Sequence, residues 1–124
     1  MQNWKPPRDT HRYRWTQHVG RKMLYYGLSP SRVLRVVNAP ARVEEGVAPG
    51  TLAGMQKAGT KAKPWEIWVM WRADQHATPL PVGMTGRKVI ITAWRYPGTS
   101  PVRGAVPIPD DVLAELDAEG LLEG

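Results

Sequence analysis

The stretch WTQHVGRKMLYYGLSPSRV, residues 15–33, holds two helix starts and one helix stop in quick succession. Thr16 is a candidate N-cap, because its hydroxyl can accept from an N–H in the first helical turn. Val19, Met23 and Tyr26 then recur at helical spacing, and Gly27 falls where a helix end favours a left-handed residue. Ser29 followed by Pro30 repeats the start signal, and Val33, Val36 and Val37 form a second apolar stripe that stops at Pro40. The spacing predicts helices over 17–26 and 30–38, joined so closely that they form a compact pair.

Beyond Pro40 the apolar period shortens. The runs 41–48, 51–59, 64–74 and 87–98 are β-branched or aromatic segments separated by Gly and Pro, which predicts a meander of about four antiparallel strands. In the third, Ile67, Val69 and Trp71 share one face, and Trp68, Met70 and Arg72 the other. In the fourth, strict alternation puts Val89, Ile91, Ala93 and Arg95 opposite Ile90, Thr92, Trp94 and Tyr96. Residues 75–86 read as a loop. Pro109 with two early acids and Val112, Leu113 and Leu116 predicts a short acidic C-terminal helix. The expected fold is α+β: an N-terminal helix pair on an antiparallel sheet, then the acidic helix. The domain plan is a flexible basic arm over 1–14, one folded domain over 15–108 and an acidic helix or tail over 109–124.

A chain of 124 residues suits one modest core. It has no cysteine, which removes thiolate chemistry and disulfides. No apolar run follows Met1, so neither a signal peptide nor a membrane span is expected, and the expected location is cytoplasmic. The net charge of +6 is unevenly spread. Residues 109–124 contain six acids and no base, leaving 17 bases against 5 acids, a balance of +12, in residues 1–108. Such a field favours a polyanion through phosphate neutralisation and counterion release.

The residue inventory argues against several chemistries. His11, His18 and His76 have no carboxylate or cysteine at ligand spacing, so no metal and no cofactor are expected. The glycines of "GVAPGTLAG" lack a P-loop lysine and serine, and no nucleophile elbow is present. What remains is basic and aromatic. His18, Arg21, Lys22 and Tyr25 lie three, four and seven positions apart, on the helix face opposite Val19, Met23 and Tyr26. An imidazole, two cations and a phenol could contact phosphates there. Attack of a ribose 2′-hydroxyl on its own phosphate needs a proton acceptor, a proton donor and cations, and these side chains can supply all three without a metal. A binding module would need the same groups with no proton-transfer geometry.

The phrase "TQHVGRKMLYYGLSPSRV" resembles the opening of small bacterial domains distantly related to the RelE and ParE toxins. The matching positions are Thr16, His18, Val19, Lys22, Met23, Tyr26, Gly27, Leu28 and Ser29, continuing through Val33 to Asn38, Ala39 and Pro40. Lys22 stands where that family often has arginine, and Tyr26 where a second basic residue is common. The strand "ITAWR" is similar to the "ISARR" type of ending in BrnT-like ribonuclease toxins, with Thr92 and Arg95 matching and Trp94 not. The likeness spans residues 15–97. It implies a fold shared with RelE and barnase, in which helices cover one sheet face and RNA lies on the other. It further implies metal-independent RNA cleavage and inhibition by a cognate antitoxin.

The expected function is accordingly that of an RNA-directed, RelE/BrnT-like protein, a ribonuclease toxin of a toxin-antitoxin system. His18 would be the general acid or base, with Arg95 and Tyr96 completing the catalytic set and Thr92 as a further polar group. Arg21, Lys22, Tyr25, Lys57, Lys61 and Arg72 would contact the nucleic acid. Trp65, Trp68, Trp71 and Trp94 read as core or sheet cover. The alternatives are a non-catalytic nucleic-acid-binding module and a protein-interaction domain whose acidic tail docks on its own basic face or on a partner.

Overall fold

A computed structural model of the chain describes residues 5–74, 86–102 and 104–123. The loop expected at 75–86, with His76, lies outside the described residues except for Gly86. The element order is β1 (Tyr13–Trp15), α1 (Gln17–Tyr26), α2 (Pro30–Asn38), β2 (Arg42–Glu45), β3 (Leu52–Gly59), β4 (Pro64–Ala73), β5 (Lys88–Pro97) and α3 (Asp110–Ala118).

Both N-terminal helices are capped as their sequences dictate. Thr16 accepts from Val19 N and Ser29 from Arg32 N, and Gly27 closes α1 at φ 69° with its N–H on the last turn. The class is α+β, but the sheet has five strands in the order β1-β5-β4-β3-β2. Four antiparallel strands had been expected. The fifth, β1, falls at the end of the stretch read as an arm and pairs parallel with Lys88–Ile90, which makes the sheet mixed. Asp9 helps to fix this entry, accepting from Trp15 N at 2.9 Å. The chain then leaves the sheet directly into α1, with Thr16 N donating to Ile90 O and its hydroxyl to Ile91 O at 2.7 Å.

The strict alternation expected of β5 fails at one point. Met70 pairs with Thr92 and Trp71 with Ile90, so Ile91 is an extra, bulged residue. Val89 and Ile91 therefore share a core with Trp94, while Ile90 and Ala93 pack on the other side.

Each sheet face carries a core. On one, α1 and α2 set Val19, Met23, Val33, Val36 and Val37 against Ile67, Val69, Trp71 and Ile90. On the other, Val112 and Leu116 of α3 cover Trp68, Met70, Ile91 and Trp94, the two indoles stacked at 6.0 Å and 3°. The resemblance implied one face left open for RNA; α3 covers part of that face instead. Gly54 has room for no side chain, since a Cβ there would lie 2.6 Å from the Trp71 ring. Substituting Gly54→Ala is expected to destabilise the protein by about 1–3 kcal/mol through overpacking, measurable as a lower urea midpoint at unchanged slope.

Candidate functional site

α1 runs from the end of β1 along β5, and this placement decides the fate of its basic face. Rather than pointing into solvent, His18 and Lys22 are buried together with Val19 and Met23. His18 is fully enclosed, with Nε2 2.8 Å from Thr92 Oγ1 and Nδ1 3.2 Å from Glu119 Oε2. Lys22 Nζ lies 2.7 Å from Glu115 and 3.8 Å from Asp111, and Arg21 Nη2 donates to both oxygens of Glu119 at 2.7 Å. Glu115 also approaches His18 Nδ1 at 3.6 Å. Asp111, Glu115 and Glu119 follow one another at four-residue steps on α3, so a column of carboxylates faces the α1 column in antiparallel sense.

Burial lowers the His18 pKa below 6.5, outweighing the carboxylates Glu119 and Glu115, which raise it; Lys22 lowers it further. The ring is thus neutral at pH 7. Carboxylates can only accept, so Nδ1 carries the proton and Nε2 accepts from the Thr92 hydroxyl. The His18–Glu119 contact is a hydrogen bond rather than an ion pair at that pH. The Glu119 carboxyl is held below its ordinary value of 4.5, chiefly by its hydrogen bond from Arg21. Tyr26, beside this ladder, is pushed up to about 12, first by burial and then by Asp111, and stays protonated.

The remaining expected site residues do not converge on His18. Thr92, which His18 touches, and Tyr96 lie on the α3 side of the sheet, whereas Arg95 lies on the helix-pair side opposite Ile67. Arg95 and Tyr96 therefore cannot act on one phosphate with His18 between them. Arg72, opposite Val89, is half-buried and donates to Ala73 O. Five residues separate Ile67 from Arg72, which puts Arg72 about 16 Å along the strands from Arg95. Lys57, on β3 opposite Glu66, and Lys61, in the β3–β4 turn, are exposed. Tyr25 is exposed and meets Tyr26 edge-on at 4.8 Å, with Lys22 Nζ 5.3 Å from its ring.

Several participants escape a reading of the basic face alone. The carboxylates of α3 could have been found by matching 111, 115 and 119 to the four-residue step between His18 and Lys22. Glu66 could not: it is buried, accepting from Trp68 Nε1 at 2.9 Å, Ser100 Oγ at 2.7 Å and Ser100 N at 3.1 Å. Among the described residues no group of three or more His, Cys, Asp or Glu side chains is arranged to hold a metal ion, and no helix is long and apolar enough to cross a membrane. No protein-family profile, no curated protein and no solved structure matches the chain.

The two lowered pKa values set a pH dependence. A histidine whose folded pKa is depressed contributes fully above its unfolded value and costs stability as pH falls through 6.5. Glu119 adds a loss at lower pH, as the solution passes below 4.5 towards its folded value. The melting temperature is expected to decline in those two steps. His18→Gln, which can still donate to Glu119 and accept from Thr92, should abolish the first step and keep the second.

Proposed function

We propose that this chain is an RNA-directed protein of the RelE-like kind in which α3 occupies the phosphate surface of α1 in the resting state. The observation that supports it is the pairing of His18, Arg21 and Lys22 with Glu115, Glu119 and Asp111 of a single helix. The carboxylates repeat about every 6 Å along α3, a linear array of negative charge laid on the side chains that the resemblance assigns to RNA. A phosphodiester chain satisfies the same donors. With α3 displaced, His18 regains access to solvent, beside the Thr92 hydroxyl and two cations, the set that metal-independent cleavage requires.

The tether favours such displacement. Ser100 is pinned to Glu66, whereas the segment from there to α3 contains Pro101, Pro107 and Pro109 and lies at intermediate or high exposure where described. Displacing α3 would uncover Trp68, Met70, Ile91 and Trp94, which Val112 and Leu116 now cover, while Ser100 stays pinned to Glu66. A cognate antitoxin, also implied by the resemblance, would act by holding α3 in place or by taking its position.

The double substitution Glu115→Gln with Glu119→Gln removes the competing charge and keeps Val112 and Leu116. It is expected to tighten binding of single-stranded RNA by tenfold or more at low salt, measured by anisotropy. Cleavage that persists in EDTA and vanishes on adding His18→Ala would identify a ribonuclease, and tighter binding without cleavage a binding module. Unchanged RNA affinity in the double variant would sink the masking role of α3.

A further inference from the structure

The opposite face holds a second basic and aromatic surface that no acid among the described residues pairs with. One cross-strand row on the helix-pair side reads Gln56, Ile67, Arg95, and the next towards the β3–β4 turn reads Ala58, Trp65, Pro97. The exposed Arg95 guanidinium lies 4.1 Å from the centroid of the half-buried Trp65 ring. At the other end of its row, Arg32 donates to the Gln56 side-chain oxygen, and Gln56 in turn donates to Arg35 O and Ala39 O at 3.1 and 2.7 Å. Two guanidinium groups are thus each held by a side chain of the sheet, on residues about 10 Å apart across two strand spacings.

Among the described residues no carboxylate lies within ion-pair distance of Arg32, Arg35, Arg95, Lys61 or Lys63. Lys61 and Lys63 sit in the turn that continues from the Trp65 row, and both are exposed. Partial burial and the neighbouring Arg35 lower the Arg32 pKa, as expected where like charges face each other without a counterion.

We propose that this surface binds single-stranded RNA, with the Arg95–Trp65 pair as a stacking platform for an unpaired base and Arg32, Arg35 and the turn lysines as phosphate contacts. Arg95 lies over one face of the indole, its Cζ 4.1 Å from the centroid, and its guanidinium is itself a planar group. A nucleobase stacks on that plane while the in-plane N–H groups donate to phosphate. Only an unpaired base offers its face, so a duplex satisfies the cations and leaves the platform unused. An acidic peptide would likewise pair in the plane and gain nothing from the stack. The proposal rests on the RNA-directed reading for its ligand class only; its residues, sheet face and accessibility are independent of α3.

The test separates stacking from charge. Binding of a labelled uridine 12-mer, an RNA duplex of the same length and inorganic polyphosphate is compared in the full chain and in Arg95→Lys, which keeps the charge and loses the plane. The expected result is a loss of fivefold or more for the single strand and less than twofold for the duplex and polyphosphate. Arg32→Gln should lower the slope of log affinity against log salt by about one. Melting curves of both variants establish that the fold is kept. Single-strand affinity unchanged in Arg95→Lys, or lost equally for all three ligands, overturns the platform. Measuring Glu115→Gln with Glu119→Gln in parallel keeps the two readings apart. An effect of Arg95→Lys alone upholds this site and removes the α3 mask; an effect of the α3 variant alone does the reverse. Absence of RNA binding by the unaltered chain overturns this site, and absence of binding by the unaltered chain and by the α3 variant alike overturns both readings.

Discussion

The contact on which the second half of the molecule depends is the antiparallel ladder between α1 and α3. It sets where α3 lies rather than how tightly it holds. Ion pairs between partly exposed side chains are worth about 0–1 kcal/mol each, and Asp111, Glu115 and Arg21 all keep substantial exposure. The apolar contribution comes mainly from Val112 and Leu116, on the order of 1.5–3 kcal/mol apiece when fully buried. Specific charges therefore choose the position, and a small apolar patch supplies the adhesion. An element so held belongs to the low-stability end of a structure, where local opening precedes global unfolding.

The sheet face beneath α3 is built differently. Glu66 is enclosed, yet its two oxygens take three hydrogen bonds from Trp68 and Ser100. Arg42 donates to the same serine at 3.1 Å and lies 5.3 Å from the Trp68 ring. Ser100 is thereby fixed to the centre of the sheet whatever α3 does. Removing one member of such a network strands the rest without partners, which costs more than any single bond contributes. The connection is thus clamped at Ser100 and returns to the same core through the half-buried Val106 and Ile108 before α3.

The elements governed by local rules were legible in the sequence. The caps at Thr16 and Ser29, the left-handed Gly27 and the apolar periods of β3 to β5 placed helices and strands to within a few residues, because each depends on neighbours in the chain. What depended on distant partners was not. β1 is three residues long, and its pairing with Lys88–Ile90 closes a loop of more than seventy residues. The bulge at Ile91 follows from how β5 meets β4, so strict alternation misassigned Val89 and Ile91. His18 and Lys22 were correctly placed on one helix face but read as solvated. A helix that runs beside a sheet can touch both cores, and Tyr26 does so. Of the expected site, the α1 residues share one locus, while Arg95, Tyr96 and Arg72 are divided between faces and strand ends.

That division changes what the positive charge can mean. The cations of the body do not form one field centred on a catalytic histidine. One group, Arg21 and Lys22 beside the neutral His18, is met by carboxylates within the chain, and neutralising it with phosphate requires releasing those carboxylates first. The net gain in counterion release from that group is small, because one anion is exchanged for another. A second group, Arg32, Arg35, Arg95, Lys61 and Lys63, has no carboxylate within ion-pair distance among the described residues. On the reading proposed above, a polyanion approaching at ordinary ionic strength would be steered first to the helix-pair face, within a screening distance of about 8 Å. Engagement of the α1 face would then be a second, costlier event that requires displacing α3, and the sheet between the two faces would keep binding separable from any chemistry at His18.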